Sequence, residues 1–133
     1  GDQLRSGASF GTAEIREGKL RVCWSAQTGK LAKGYGKGFW TGSGWTGQPL
    51  IVRWRDEEKQ AMNLYADKKQ KDGLFEVVYS TMDGNVYFLD LEDGTPTRDV
   101  WKVGLPFKGA GALHPTLPIL HLGPGDSGPR VPL

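Results

Sequence analysis

Short apolar runs, rather than a helical repeat, dominate the hydrophobic pattern of this chain. The runs are rich in β-branched and aromatic residues, and clusters of Gly, Asp, Asn and Pro separate them. This pattern is typical of short β-strands joined by tight turns, and no run is long or periodic enough to predict a long helix. The predicted strands are residues 18–25, 50–54, 75–82, 85–91, 98–104 and 118–122.

The clearest local signal is a hairpin within residues 77–95, VVYSTMDGNVYFLDLEDGT. An Asp-Gly pair separates two apolar runs, and a second Asp-Gly pair follows ten residues later. Apolar residues stand where a calcium loop places its oxygen ligands, so the segment does not match an EF-hand. Asp and Gly at these positions are favoured by turn geometry and by hydrogen bonds to nearby backbone amides. The predicted structural turn residues are Asp83, Gly84, Asp90, Asp93 and Gly94.

The stretch at residues 55–73 carries most of the charge in the middle of the chain. Its two ends, RDEEK and DKKQKDG, predict solvated loop, and residues 60–65 fit either a short strand or a helical turn. The Gly- and Pro-rich residues 126–133 predict a flexible tail, since they offer little apolar surface to pack. The pattern as a whole predicts an all-β domain in residues 1–125.

Two sequence elements recur at nearly the same interval. GSGWTGQPLIV at Gly42 is similar to GAGALHPTLPIL at Gly109, and EGKLRVCWSAQTGK around Gly18 is similar to DGNVYFLDLEDGT around Gly84. The starts are separated by 67 and 66 residues respectively. A repeated supersecondary unit of short strands predicts β-propeller blades, each an antiparallel four-stranded sheet packed on its neighbours. The length allows about two blades, one partly complete at each end, so the propeller is expected to be partial.

The hairpin segment also resembles the repeat of the pyrroloquinoline-quinone-type (PQQ-like) β-propellers. Departures are Asp93 in place of Thr, Thr95 in place of Lys and Arg98 in place of Trp, while residues 25–30, SAQTGK, keep the Thr-Gly-Lys of the repeat. Residues 35–54, YGKGFWTGSGWTGQPLIVRW, further resemble an uncharacterised bacterial branch of these propellers, and together the resemblance covers roughly residues 10–125. It implies an extracellular, cell-surface or periplasmic location. The matching positions are Tyr79, Asp83, Gly84, Tyr87, Leu89, Asp90 and Gly94.

The charge balance is nearly neutral. Seventeen Lys and Arg residues and fifteen Asp and Glu residues give a net charge of +2. With both signs interspersed, the sequence predicts no nucleic-acid binding. No apolar stretch is long enough for a transmembrane helix. Because the sequence starts with Gly rather than Met and shows no signal peptide, we interpret it as a processed form or a fragment of a longer chain.

Candidate chemical groups are few. The single cysteine, Cys23, is expected to be a buried, inert thiol within a strand. The two histidines, His114 and His121, are not spaced as a zinc site, so no metal or other cofactor is expected. GDSGP at residues 125–129 is similar to a serine-protease nucleophile motif, but Ser127 lacks upstream His and Asp partners at suitable positions.

Five tryptophans are the remaining candidates for binding. Most are expected to pack between blades, whereas Trp40 and Trp45 lie in a Gly-rich loop and are the candidate rim-binding residues.

The favoured function is a non-enzymatic scaffold or binding module for a protein or glycan partner. The alternatives are a fragment of a PQQ-dependent quinoprotein dehydrogenase and a lectin-like propeller assembled from several copies. The dehydrogenases resembled here carry a calcium-ligand set, a catalytic Asp and often a vicinal disulfide, which this sequence lacks. Two blades do not close a ring, so either further blades of a longer chain or a homo-oligomer is expected to complete it.

Overall fold

The computed structural model describes residues 12–34, 36–44 and 48–125. Within these ranges short antiparallel strands predominate and two short helices interrupt them, in agreement with the all-β prediction. The elements in chain order are β1 Lys30–Ala32, β2 Phe39–Thr41, β3 Leu50–Arg53, α1 Asp56–Ala61, α2 Ala66–Gln70, β4 Phe75–Ser80, β5 Asn85–Asp90, β6 Trp101–Lys102, β7 Ala112–Leu113 and β8 Leu120–His121.

The central sheet contains four strands in the order β3-β4-β5-β6, so each strand pairs with the next one along the chain. All pairs are antiparallel, and β4 and β5 are the longest strands. The pairs β1–β2 and β7–β8 form separate two-stranded sheets. The chain is therefore an up-and-down meander with a small hairpin before it and another after it.

The β4–β5 hairpin reverses at the predicted turn. The amide of Gly84 donates to the carbonyl of Thr81 at 3.1 Å, and the amide of Thr81 donates to the carbonyl of Asn85 at 3.0 Å. Gly84 has φ 78°, a left-handed conformation that a side chain disfavours. A Cβ atom there would also lie 3.1 Å from backbone atoms of Gly104 and Leu105. The turn therefore needs glycine both for its conformation and for the close approach of a neighbouring loop.

The two faces of the central sheet follow the alternation of its strands. On one face Val78 and Val86 pack with Phe107 in the main apolar cluster. On the opposite face, the Gly29 amide donates to the Tyr87 hydroxyl at 3.3 Å, and the same amide donates to Asp83 in the hairpin turn. Chain from outside the sheet thus contacts both sides of it. The partly buried side chains that complete the cluster are Leu50, Phe88, Val103, Leu120 and Leu122.

The charged stretch at residues 55–73 is not the loop that the sequence predicts. It forms α1 and α2, and the linker between and after them buries Leu64 and Leu74. Lys59 is only 1% exposed, because its ammonium group donates to the Lys71 carbonyl at 2.5 Å and pairs with Asp56 at 2.9 Å. Some charged side chains that indicated a loop, such as Lys59, therefore make the contacts that hold the two helices together.

The strand predicted at residues 18–25 is wrong. Residues 18–29 form no strand, and Cys23 is exposed rather than buried. A strand needs a neighbour to satisfy its backbone groups, and no described segment pairs with this one. Its counterpart in the proposed repeat, residues 84–94, contains β5, so the two similar sequences have different structures here.

The other predicted strands are present but shorter. β3 ends one residue before Trp54, β6 covers only Trp101–Lys102, and β8 covers only Leu120–His121. The partner of β8, the strand β7, was not predicted. Residues 126–133 lie outside the described part of the chain. Across the described ranges, no helix has the length and apolar character needed to cross a membrane.

Candidate functional site

A buried polar network in the described residues surrounds Glu76 on β4. Its carboxylate accepts hydrogen bonds from Trp54 Nε1 at 3.0 Å and from the Thr97 hydroxyl at 2.5 Å. Arg98 donates two more, from Nη2 to Oε1 at 2.9 Å and from Nε to Oε2 at 3.0 Å. Glu76 and Thr97 are both fully buried. Four donors occupy the carboxylate, which makes Glu76 a fixed anchor for Arg98 rather than a free acid or base.

A cleft of about 330 Å³ opens beside this pair. Its walls are mostly apolar, and the Arg98 guanidinium lies 4.9 Å from the centroid of the Phe88 ring. Glu58 at the rim is held by Arg55, whose guanidinium lies 2.9 Å away and lowers the pKa of Glu58. An apolar cleft with a few oriented polar groups is the usual form of a ligand site. The lining residues are Trp54, Glu58, Ala61, Met62, Glu76, Val78, Phe88, Arg98, Leu113, Pro118 and Leu120.

The sequence offered only a partial signal for this cleft. Arg98 replaces the Trp of the PQQ-like repeat, and Trp54 is one of the tryptophans expected to pack between blades. Glu76 lies within a strand at an alternating position, where an acidic residue in an apolar run indicates a buried, paired charge. The partner of Glu76 is 22 residues away in the chain, so only the folded structure shows the pairing.

Asp83, predicted as a turn residue, has a further structural function. Its carboxylate accepts from the Thr81 hydroxyl, from the Asn85 backbone and side chain, from the Tyr87 hydroxyl and from the Gly29 amide at 2.7 Å. Burial raises the pKa of Asp83, but these hydrogen bonds outweigh it and leave the pKa below its usual value. Asp83 therefore joins the hairpin turn to the segment that precedes β1.

Asp90, the second predicted turn residue, is 1% exposed and lies between two lysines. Its Oδ2 is 2.9 Å from Lys68 Nζ and 2.7 Å from Lys71 Nζ, and its Oδ1 accepts from the Glu92 amide. Burial raises the pKa of Asp90, but the bonds from Lys71 and Lys68 lower it to about 2. The same contacts raise the pKa of Lys71. Asp90 thus fastens α2 to the end of β5.

The Asp90 cluster predicts a specific dependence of stability on pH. The pKa of about 2 lies below the usual value of 3.8, so the unfolded chain binds the proton more tightly. The resulting stabilisation, about 2 kcal/mol, is complete above pH 4 and is lost as the pH falls through 2. We expect the difference in free energy of unfolding between the wild type and Asp90→Asn to be largest above pH 4 and to shrink towards pH 2.

Urea unfolding at a series of pH values measures this difference. Asp72→Asn removes an exposed carboxylate near the same helix and serves as the matched control. A wild-type-to-Asp90→Asn difference that stays constant from pH 5 to pH 2 would show that Asp90 is not stabilised as an anion.

The turn after β5 contains the last two predicted turn residues. Asp93 accepts from the amide and hydroxyl of Thr95, and Gly94 has φ 73°. Trp24 covers this turn: its Nε1 donates to the Leu91 carbonyl at 2.7 Å, and its ring lies directly against Gly94. This tryptophan therefore packs on a turn.

The two candidate rim residues have different outcomes. Trp40 on β2 is partly buried, and the ammonium groups of Lys33 and Lys108 lie 4.5 and 4.4 Å from the centroid of its ring. Trp40 is therefore part of a cationic cluster rather than a bare stacking surface. Trp45 lies outside the described residues.

The remaining candidates from the sequence give no catalytic arrangement in the described residues. His114 Nδ1 accepts from the amides of Thr116 and Leu117 at 3.2 and 3.1 Å, which is a local turn contact. In the ranges described, no group of three or more His, Cys, Asp or Glu side chains is placed to hold a metal ion. Ser127 of the GDSGP motif lies outside those ranges.

The described residues thus form an antiparallel β meander with a two-helix insertion and a cleft beside a buried Glu–Arg pair. No protein-family model, curated protein or solved structure matches the chain.

Proposed function

We propose that this chain is a non-enzymatic scaffold or binding module, built as part of a β-propeller, whose partner is a protein or a glycan. The observation that carries the proposal is the sequential four-stranded meander β3–β6 with other chain segments on both sides of it. A propeller blade is a sheet of this kind, packed between neighbouring blades. On this proposal, β1–β2 and β7–β8 belong to the incomplete neighbours.

The segment 18–25 supports the proposal that the propeller is partial and needs further strands. It has the sequence of a strand, yet Leu20 is 91% exposed and Val22 is 82% exposed. Exposed apolar side chains at alternating positions favour pairing with another strand. On this proposal the missing strand comes from another copy or from further blades of a longer chain.

The Glu76–Arg98 cleft supports a binding function. Every buried side-chain nitrogen and oxygen in the described residues has a hydrogen-bond partner, so the polar floor of the cleft is preorganised. The apolar walls provide burial for a partner side chain, and the Arg98 guanidinium, held by two hydrogen bonds to Glu76, provides a donor at the edge. This combination favours recognition of a partner over proton transfer.

Size-exclusion chromatography with light scattering tests the proposal. We expect the 14.6 kDa chain to form a discrete assembly of three or four copies, or a polydisperse and loosely folded sample that needs the rest of a longer propeller. If copies assemble, Leu20→Lys with Val22→Lys should reduce the assembly, because charges then replace the apolar edge. Ile15→Lys is the matched control, since Ile15 is 67% exposed but lies outside the strand-like segment. A monodisperse monomer that unfolds cooperatively would contradict an open propeller.

A further inference from the structure

The Glu76–Arg98 cleft offers an open hydrogen-bond donor. Arg98 uses Nε and Nη2 for its contacts with Glu76 and Met62, and within the described ranges its Nη1 makes no hydrogen bond. Every buried side-chain nitrogen in those ranges has a partner, so Nη1 reaches solvent. Because Arg98 lines the cleft, this donor is available to a molecule bound there.

The cleft also offers an open acceptor, the Glu58 carboxylate on α1. Its Oε2 accepts from the Arg55 amide at 3.0 Å, and its Oε1 accepts from Arg55 Nη2 at 2.9 Å. A carboxylate has about four lone-pair positions, so about two positions of Glu58 stay open. The Glu76 carboxylate differs, because the four donors described above occupy it. A bound molecule therefore meets one open donor and one open acceptor among these side chains.

The charges beside the cleft cancel in pairs. Arg98 Nη2 lies 2.9 Å from Glu76 Oε1, and Arg55 Nη2 lies 2.9 Å from Glu58 Oε1. An ionic group bound between these two pairs would lose water without gaining a counter-charge, which costs much free energy. The arrangement therefore favours an uncharged occupant.

The cleft continues into a second cavity, which makes the site long rather than round. This cavity, of about 380 Å³, shares Trp54 and Glu58 with the cleft and is lined further by the end of β3 and by residues 114–117. In the cleft itself, α1 and the β7–β8 hairpin both contribute to the walls, above the sheet face that carries the cross-strand pair Val78 and Phe88. A groove of this form suits an extended chain.

We propose that this groove binds an extended peptide segment of a partner protein and buries one large, uncharged apolar side chain, such as leucine, in the cleft. This inference rests on the proposed function and selects a protein over a glycan as the partner at this surface. A peptide carbonyl accepts from Arg98 Nη1, and a peptide N–H donates to Glu58. The apolar side chain packs against Met62, Phe88 and Leu120.

A sugar fits this groove less well than a peptide does. Each sugar ring carries several hydroxyl groups, and every hydroxyl that is buried without a partner costs free energy. Arg98 and Glu58 together provide one open donor and one open acceptor, which is too few for a ring but matches the polar groups of one peptide unit.

Fluorescence anisotropy of labelled nine-residue peptides measures binding to the full chain. The two peptides have blocked ends and no charged residue, and they differ only in a central leucine or serine. We expect the leucine peptide to bind at least about ten-fold more tightly, because only leucine buries apolar surface in the cleft. Its affinity should change by less than about two-fold between 50 and 500 mM salt, since the site has no net charge. Unlabelled maltotriose should not displace it.

Two matched variants test the location of the peptide. Ala61 is exposed and lines the cleft, so Ala61→Phe should narrow the cleft and weaken binding of the leucine peptide at least about ten-fold. Ala66→Phe makes the same change at an exposed alanine of α2 that does not line the cleft, and should leave binding unchanged. Equal effects of the two variants would overturn the assignment to this groove.

The other outcomes separate this inference from the proposed function. Equal binding of the leucine and serine peptides, or a loss of affinity above about ten-fold at the higher salt, would overturn the apolar peptide site while leaving a binding module in place. Displacement of the peptide by maltotriose would overturn it in favour of a glycan partner. Absence of binding to both peptides would overturn it too, and the assembly measurement above would then test the scaffold function independently.

Discussion

Replacement of Glu76 by Ala is expected to lower the free energy of unfolding by about 3–5 kcal/mol. The substitution removes the acceptor of four hydrogen bonds and leaves the Arg98 guanidinium, whose side chain is 18% exposed, without its counter-charge. The loss is large compared with the total stability of a small domain, about 5–15 kcal/mol. Urea unfolding followed by far-ultraviolet circular dichroism measures it.

A matched surface variant and milder changes keep this prediction testable if Glu76→Ala does not fold. Glu57→Ala also breaks a Glu–Arg pair, but this pair is exposed and 3.9 Å long, so a loss below about 1 kcal/mol is expected. Thr97→Val removes only the hydroxyl donor and should cost about 1–2 kcal/mol. The double variant Glu76→Leu with Arg98→Met should be more stable than Glu76→Ala, because it leaves no unpaired charge. Equal losses for Glu76→Ala and Glu57→Ala would refute the buried-anchor interpretation.

Replacement of Gly94 by Ala is expected to be the most damaging glycine substitution among those in left-handed turns. Its φ of 73° costs a side chain about 1–2 kcal/mol, and the new Cβ would lie 2.5 Å from Trp24 Cε3. Because the Trp24 ring must move, its hydrogen bond to the Leu91 carbonyl is lost as well. A total loss of about 2–4 kcal/mol is therefore expected in the same unfolding assay.

Gly104 provides a control that separates strain from steric conflict. It has φ 77°, but a Cβ there meets no atom within 4 Å, so Gly104→Ala should cost only the strain of about 1–2 kcal/mol. Gly94→Ala should lower the free energy of unfolding by more than Gly104→Ala does. This excess should disappear in a Trp24→Ala background, where the ring is absent. An excess that persists in that background would show that the Trp24 contact is not its cause.

The extent to which the sequence predicted the fold depends on how local the responsible interactions are. The β4–β5 hairpin and its Gly84 turn were predicted, since an Asp-Gly pair between β-branched runs encodes the reversal locally. The helices α1 and α2 were not, because their apolar periodicity is too short to read and their stability depends on the burial of Lys59 and Leu64. The strand predicted at residues 18–25 is absent for the complementary reason. Its local pattern is strand-like, but no described segment pairs with it.

The site was less predictable than the fold. The predicted turn acids Asp83 and Asp90 are in place, but the lysines and amides that bind them come from segments up to 54 residues away. Trp40 was selected as a loop aromatic, whereas its two flanking lysines, Lys33 and Lys108, meet only through the packing of the hairpin on the C-terminal loops. A side-chain type can be read from one position, but a pair of contacts between distant positions cannot.

By itself the sequence determined the class of secondary structure, the tight turns and the absence of a long apolar helix in the pattern. These follow from backbone preferences of Gly, Asp and β-branched residues, which act over a few neighbouring positions. Only the tertiary structure decided which charges are buried, which lysines gather around Trp40 and which strand-like segment stays unpaired. Those outcomes depend on desolvation and on long-range contacts, because the free energy of a charge or an exposed strand edge is set by what packs against it.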